Sequence, residues 1–255
     1  MSILRQKHNA SSYHKLEGTL DSHKIFILLS RTASLKKFII CVFLSTSFLK
    51  AEAQLNEADF RKTLHDRSVK IVNTLNLTDS VKYNDVVNLV TDQYFNLNKV
   101  HDKTKESIAA IKSTPLPNED NDSCIQKEEA QKTAQLKKIH EKFIAQLQKS
   151  LTENQIEKIK DGMTYKVMPV TYTAYHDMIP TLTAEQKEKI YGWLKEAREL
   201  AMDEGSSEDK HKVFGKYKGR INNYLSKQGY DMKVEEKGWQ QRIKDREAAK
   251  KNNVS

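Results

Sequence analysis

Between Asp79 and Lys112 the chain runs for more than thirty residues without a glycine or a proline. Its apolar side chains recur every seven residues along two parallel lines. One line is Tyr83, Val90, Leu97, Thr104 and Ile111; the other is Val87, Tyr94, His101 and Ile108. A sustained seven-residue repeat predicts one long helix packed along a seam. Such a helix needs a partner of comparable length. The next segment, about Cys124–Ser150, supplies one, with Ile125, Leu136, Ile139, Phe143 and Leu147 on its inward face. Pro115 and Pro117 separate the two, and Asn118–Ser123 reads as a polar loop. The two segments are therefore expected to form a long antiparallel hairpin.

The rest of the chain follows the same helical pattern. A first helix is expected from about Glu57 to Leu75, with Phe60, Leu64, Ser68, Ile71, Val72 and Leu75 inward. Thr152 with Gln155, and Thr183 with Gln186, are capping boxes that start two further helices. Met163–Met168 is rich in β-branched and aromatic residues and reads as an extended stretch without a partner strand. Pro169 opens a short helix to about Ile179, and Pro180 closes it. With only 8 glycines and 4 prolines in 255 residues, the expected fold is all-α. About seven long antiparallel helices would form a bundle with little or no sheet. Val234–Lys250 would be a charged C-terminal segment, docked by Trp239 and Ile243.

Charge has to be read after the leader is set aside. Lys36 and Lys37, the apolar run Phe38–Leu49 and Ala51-Glu52-Ala53 have the order of a signal peptide. Cleavage is expected after Ala53, leaving residues 54–255 as one helical domain in the periplasm or outside the cell. An uncleaved anchor is the alternative, and a misassigned upstream start would account for residues 1–34. Residues 1–53 hold 8 of the 43 basic and 3 of the 34 acidic residues, so the remainder carries a net charge of +4, not +9. That removes most of the case for nucleic acid as a partner. The membrane would be met only through the leader. Cys124 is the one cysteine beyond it, so no internal disulfide is expected.

The segment Gly205–Asp231 carries the densest functional pattern. Ser206 or Ser207 can cap a helix there, Glu208 and Asp209 suit its first turn, and Gly229 suits its C-terminal cap. Val213, Phe214, Tyr217, Ile221, Tyr224 and Leu225 share the core arc. Beside it run His211, Gly215, Lys218 and Asn222, with Arg220 on the other flank. These polar residues are either a solvated face or the edge of a binding site for a carboxylate or a hydroxyl-rich ligand. Gly215 and Gly219 would permit close helix packing. Tyr172 and Tyr175, with Trp193, either fill the core or stack on a sugar ring. His101 is either a hydrogen-bonded core histidine or a general base, and His211 is the other acid/base candidate. Four histidines precede an acid, but neighbours on a helix point about 100° apart, and no two histidines have the i, i+4 spacing of a zinc helix. No metal and no cofactor are expected.

Two resemblances add to this reading. LTENQ and LTAEQ resemble the LTxxQ motifs of small helical periplasmic chaperones of the Spy and CpxP type, a likeness limited to helix starts. LNLTDSVKYNDVVNLVTDQYFNLNKVHD, DGMTYKVMPVTYTAYHDMIPTLTAEQ and LKEARELAMDEGSSEDKHKVFGKYKGRINNYLSKQGYD, with the late Trp239, resemble the domain-of-unknown-function 3826 family. That family consists of exported proteins from glycan-degrading Gram-negative bacteria. The resemblance implies export, an all-helical fold and a setting in polysaccharide use; it transfers no catalytic residue. The expected function is the binding or processing of saccharides in a cleft made by the 205–231 helix, His101 and the Tyr172/Tyr175 segment. The rival is a non-enzymatic chaperone or scaffold.

Overall fold

Helix α1, over 57–72, tightens into one 3₁₀ turn, Asn73–Leu75, and ends on Asn76 in the left-handed conformation. Asp79 then caps α2 (Ser80–Ser113) by accepting from the backbone of Val81 and Lys82. The remaining helices are α3 (Asn118–Gln148), α4 (Glu153–Met163), α5 (Val167–Met178), α6 (Ala184–Met202), α7 (Ser207–Lys227) and α8 (Met232–Asn252). This computed structural model describes residues 57–114 and 118–252. The leader expected over 1–53, with its cleavage after Ala53, lies outside the described residues. Among those residues there are eight α-helices and no strand. The fold is all-α, and none of these helices is long and apolar enough to cross a membrane.

Two apolar cores form within the unit that begins at Asp59. The first joins Leu64, Ile71 and Val72 of α1, Val87, Val90 and Tyr94 of α2, Phe143 and Leu147 of α3, and Ile156 and Ile159 of α4. The second joins Met168 and Tyr175 of α5, Ile190, Leu194 and Ala197 of α6, and Phe214, Ile221 and Leu225 of α7. Helices α2 and α3 pair as the expected hairpin. Their inward faces are most deeply buried at the first core, and on α2 burial continues to Leu97 and Thr104. Ile108, Ile111, Ile125 and Leu136 remain half-exposed.

Three local expectations need correction. Residues 118–123 are the first turns of α3 and not a loop. Their acids suit a helix N-terminus, so only the Pro115–Pro117 interruption was required. Residues 163–168 are not extended. Tyr165 and Lys166 both take φ 57°, and the turn hands its backbone to α4: Lys166 N–H donates to the Asp161 carbonyl at 2.7 Å, and Thr164 Oγ to that of Lys160 at 2.8 Å. An unpaired strand would leave those groups without partners, so β propensity loses here. Finally, Phe60 is exposed rather than inward; Arg61 covers the Phe95 ring beside it, at 4.3 Å.

The two capping boxes form as their sequence predicts, with Gln155 and Gln186 each bonding back to its threonine. Helix α7 is capped by Ser206 and closes on a Schellman turn. Gly229 sits at φ 95°, Tyr230 N–H donates to the Leu225 carbonyl, and Gly229 N–H to that of Ser226.

Candidate functional site

The polar edge of α7 faces a groove over part of its length. Tyr175, buried in the second core, extends its hydroxyl to Asn222 Oδ1 at 2.6 Å. Burial pushes that phenol up to about 12, so it remains a donor at any ordinary pH. Its bond fixes Asn222 with the amide nitrogen still free to donate. Lys218, one turn earlier, has no ion pair or side-chain hydrogen bond among the described residues. Both residues line a groove of about 320 Å³ between α5, α7 and α8, with Tyr175, Val170, Glu236 and Trp239.

Helix α8 forms the third wall, and one carboxylate holds it. Asp177, at the end of α5, accepts from Trp239 Nε1 at 2.7 Å and from both terminal nitrogens of Arg246 at 2.9 and 2.6 Å. Arg242 donates to the carbonyls of Asp177 and Met178. The Arg246 and Trp239 hydrogen bonds hold the Asp177 carboxyl down at about 2. Trp239 is therefore locked in orientation where it borders the groove.

The other predicted residues lie elsewhere. His211 is exposed and stacks on Tyr165, with centroids 5.9 Å apart and planes 14° off parallel. Arg220 turns toward α6, over the Tyr217 ring at 5.0 Å and near Glu196 at 3.5 Å. His101 Nε2 donates to the Asp203 carbonyl at 2.7 Å and its ring packs on Gly205, so it pins the α6–α7 turn. Tyr172 points to the opposite side of α5, packed on His176 and Tyr191. The single cleft expected from α7, His101 and the Tyr172/Tyr175 segment is thus not one cleft. Only Tyr175, Lys218 and Asn222 meet. Trp193 packs edge-on against Tyr224, away from the groove. Gly215 and Gly219 do not mediate close packing either, since a Cβ on each would meet nothing within 4 Å.

The sequence reading missed two polar clusters. His140 Nδ1 lies 2.9 Å from Asp203 Oδ2 and Nε2 lies 3.7 Å from Glu199. The Asp203 hydrogen bond, against the opposing effect of burial, raises the histidine above its ordinary value. It links α3 to the end of α6. The second cluster centres on Arg198, 1% exposed, which forks to Asp161 at 2.7 Å and to Glu157. Burial pushes the Glu157 carboxyl up, but the Arg198 hydrogen bond and charge outweigh it and leave Glu157 below its usual range. Neither cluster has a motif. The one available signal was spacing: Glu157 and Asp161, and Glu199 and Asp203, are i, i+4 acidic pairs on facing helices. Among the described residues, no three His, Cys, Asp or Glu side chains are grouped to hold a metal ion.

Fold and groove together define an all-helical protein with a polar, aromatic-walled recess and no assembled metal centre among the described residues. The chain belongs to the DUF3826 family, described as a protein of unknown function, whose model matches residues 61–245. That match takes in α2 to α7 whole and most of α8. No curated protein matches the chain.

Proposed function

We propose that this is an exported saccharide-binding protein that works in a polysaccharide-use setting and takes a sugar unit, preferably one bearing a carboxylate, in the α5/α7/α8 groove. The observation that carries the reading is the convergence of Lys218, Asn222 and the Tyr175 hydroxyl beside Trp239. A sugar presents an apolar C–H face and a rim of hydroxyls. An aromatic wall covers the first, and amide and carboxylate groups bond the second. The free Lys218 ammonium adds a point charge suited to a uronate carboxylate. The groove is at the small end for a ligand site, which suits one or two sugar rings.

The test is titration of the purified chain with oligogalacturonate and with neutral oligosaccharides, followed by tryptophan fluorescence and calorimetry. Trp239 and Trp193 are the two tryptophans, and Trp193 lies outside the groove. Saturable quenching by a sugar that disappears in Trp239→Phe supports the reading. No saturable binding of any sugar would sink it.

A non-enzymatic chaperone or scaffold is the second reading. It needs a continuous apolar surface. Among the described residues, the exposed large apolar side chains, Phe60, Val81, Tyr165, Val170, Tyr191, Leu200 and Val234, are instead spread over five helices and one turn, so it has less support.

A further inference from the structure

The opposite side of α5 borders a larger cavity, about 750 Å³, between α4, α5 and α6. Its lining differs in kind from the α7 groove. Tyr172 and Tyr191 meet edge to face, with centroids 5.3 Å apart and planes at 72°. Tyr191 is 42% exposed and so offers part of its ring to whatever enters. Across from them stand Glu157 and Asp161, one helical turn apart on α4. Arg198 lines the same cavity, fully buried, with its two terminal nitrogens bonded to those carboxylates.

The hydrogen-bond inventory of this cluster is incomplete in a particular way. Arg198 Nε is buried and has no partner. Asp161 uses Oδ1 for Arg198, and its Oδ2, which accepts no bond from the described residues, is open to solvent. A buried ion cluster is seldom kept for stability alone, because desolvation consumes most of the attraction. Buried donors without partners are rare enough to need an explanation. This cluster shows a buried donor lacking an acceptor and, beside it, a carboxylate whose second oxygen is open to water or to a ligand, both on side chains that line one cavity. A hydroxyl group is donor and acceptor at a single atom and can satisfy both. An ammonium could serve only the carboxylates; a carboxylate could reach the guanidinium and Lys195, but would stand among Glu153, Glu157 and Asp161 in the same lining.

We propose that the α4/α5/α6 cavity is a second ligand site, specific for an uncharged polyhydroxylated ligand, a neutral sugar, held by Asp161, Glu157 and Arg198 and packed against the Tyr172/Tyr191 corner. Asp161 and Glu157 accept from ligand hydroxyls, and Arg198 Nε donates to one of them. Asn154, on the rim, supplies a further donor and acceptor. The site is separate from the α7 groove, since it shares no lining side chain with it; this one is for neutral sugars, whereas the α7 groove prefers a carboxylate-bearing one.

The test is isothermal titration of the purified chain with neutral tetrasaccharides (cello-, xylo-, manno- and malto-series), with spermidine as an amine lacking hydroxyls, and with oligogalacturonate. Tyr191→Ala removes a partly exposed ring, Asp161→Asn keeps the shape and the Arg198 contact while removing the carboxylate, and Trp239→Ala alters the other groove and the α8 docking that Trp239 shares with Asp177, with no residue of the cavity lining changed. Circular dichroism melts check that each variant folds. At least one neutral tetrasaccharide should bind, tenfold or more weaker in both Tyr191→Ala and Asp161→Asn, and unchanged in Trp239→Ala. The proposal is overturned if no neutral sugar binds, if spermidine binds in their place, or if neutral binding falls in Trp239→Ala and not in Tyr191→Ala. Loss of oligogalacturonate binding alone would count against the α7 groove and leave the second site standing.

Discussion

Glycine-to-alanine substitution should change sign along this chain. Gly215 and Gly219 lie in the interior of α7, exposed, and an added Cβ at either would meet nothing within 4 Å. Alanine there gains the helix-propensity difference, about 0.8–1 kcal/mol at each position, with no packing cost. The double variant should gain about 2 kcal/mol, which raises the melting temperature of a chain this size by about 4–8 °C. Gly162 is the opposite case. A Cβ there would lie 2.7 Å from Ile71 Cγ2 and 3.0 Å from its Cγ1, far inside an ordinary contact. Ile71 is buried and β-branched, so it has little freedom to turn away. Overpacking of this kind costs about 1–3 kcal/mol, and Gly162 sits in the last turn of α4, where the propensity gain is small. Gly162→Ala should therefore lose about 1–2 kcal/mol. Urea unfolding monitored by circular dichroism measures the three single variants and the double. A loss of stability in Gly215→Ala or Gly219→Ala would refute the reasoning, since it would mean that α7 needs those positions bare for packing. A gain in Gly162→Ala would refute the close approach of α1 and α4.

Three other outcomes follow from the polar clusters. Arg198→Met should cost about 3 kcal/mol in urea unfolding, at the low end for a broken buried pair because Glu157 and Asp161 are each about a quarter exposed; adding Glu157→Gln and Asp161→Asn should recover part of it, and a purely additive series would contradict the network. His140, raised by Asp203 with Glu199 and Lys160 also facing it, should contribute about 1 kcal/mol below the unfolded histidine value near pH 6.5. That contribution is lost as pH rises through the higher folded value, so the wild type minus His140→Gln difference in urea midpoint should shrink with alkali, and a pH-independent difference would count against the pairing. Asp177→Ala should release α8: hydrogen exchange over 232–252 should quicken while α6 stays protected. Because the Asp177 carboxyl is held at about 2, the wild-type docking is fully present above about pH 4 and fades only as pH falls through 2.

The fold was legible where one physical signal dominated. The seven-residue seam of α2, the two capping boxes and the Gly229 stop each predict local structure without knowledge of neighbours, and each is present. The turn at Tyr165-Lys166 was not, because β propensity describes side chains, whereas this backbone is fixed by carbonyls at the end of α4. The candidate site was legible in part. The helical wheel put Lys218 and Asn222 on the edge of the α7 core arc, which is where the groove lies. It could not tell how far the groove extends, so His211, two turns from Lys218, was grouped with them although it lies outside the groove, exposed and stacked on Tyr165. Arg198 was hidden for a different reason. It follows Ala197 on the buried face of α6, and only the facing carboxylates of α4 explain a charge there.

Whether the edge of α7 holds a sugar is most directly tested by the affinity of Lys218→Ala and Asn222→Ala for oligogalacturonate, measured by calorimetry beside the unaltered chain. The account predicts saturable binding to the unaltered chain, weakened at least tenfold in each variant; the melting temperature should hold in Lys218→Ala, whose side chain is exposed and unpaired, and fall by a few degrees in Asn222→Ala, which takes the acceptor from the buried Tyr175 hydroxyl. Binding that is absent from the unaltered chain, or equally strong in both variants, would contradict it.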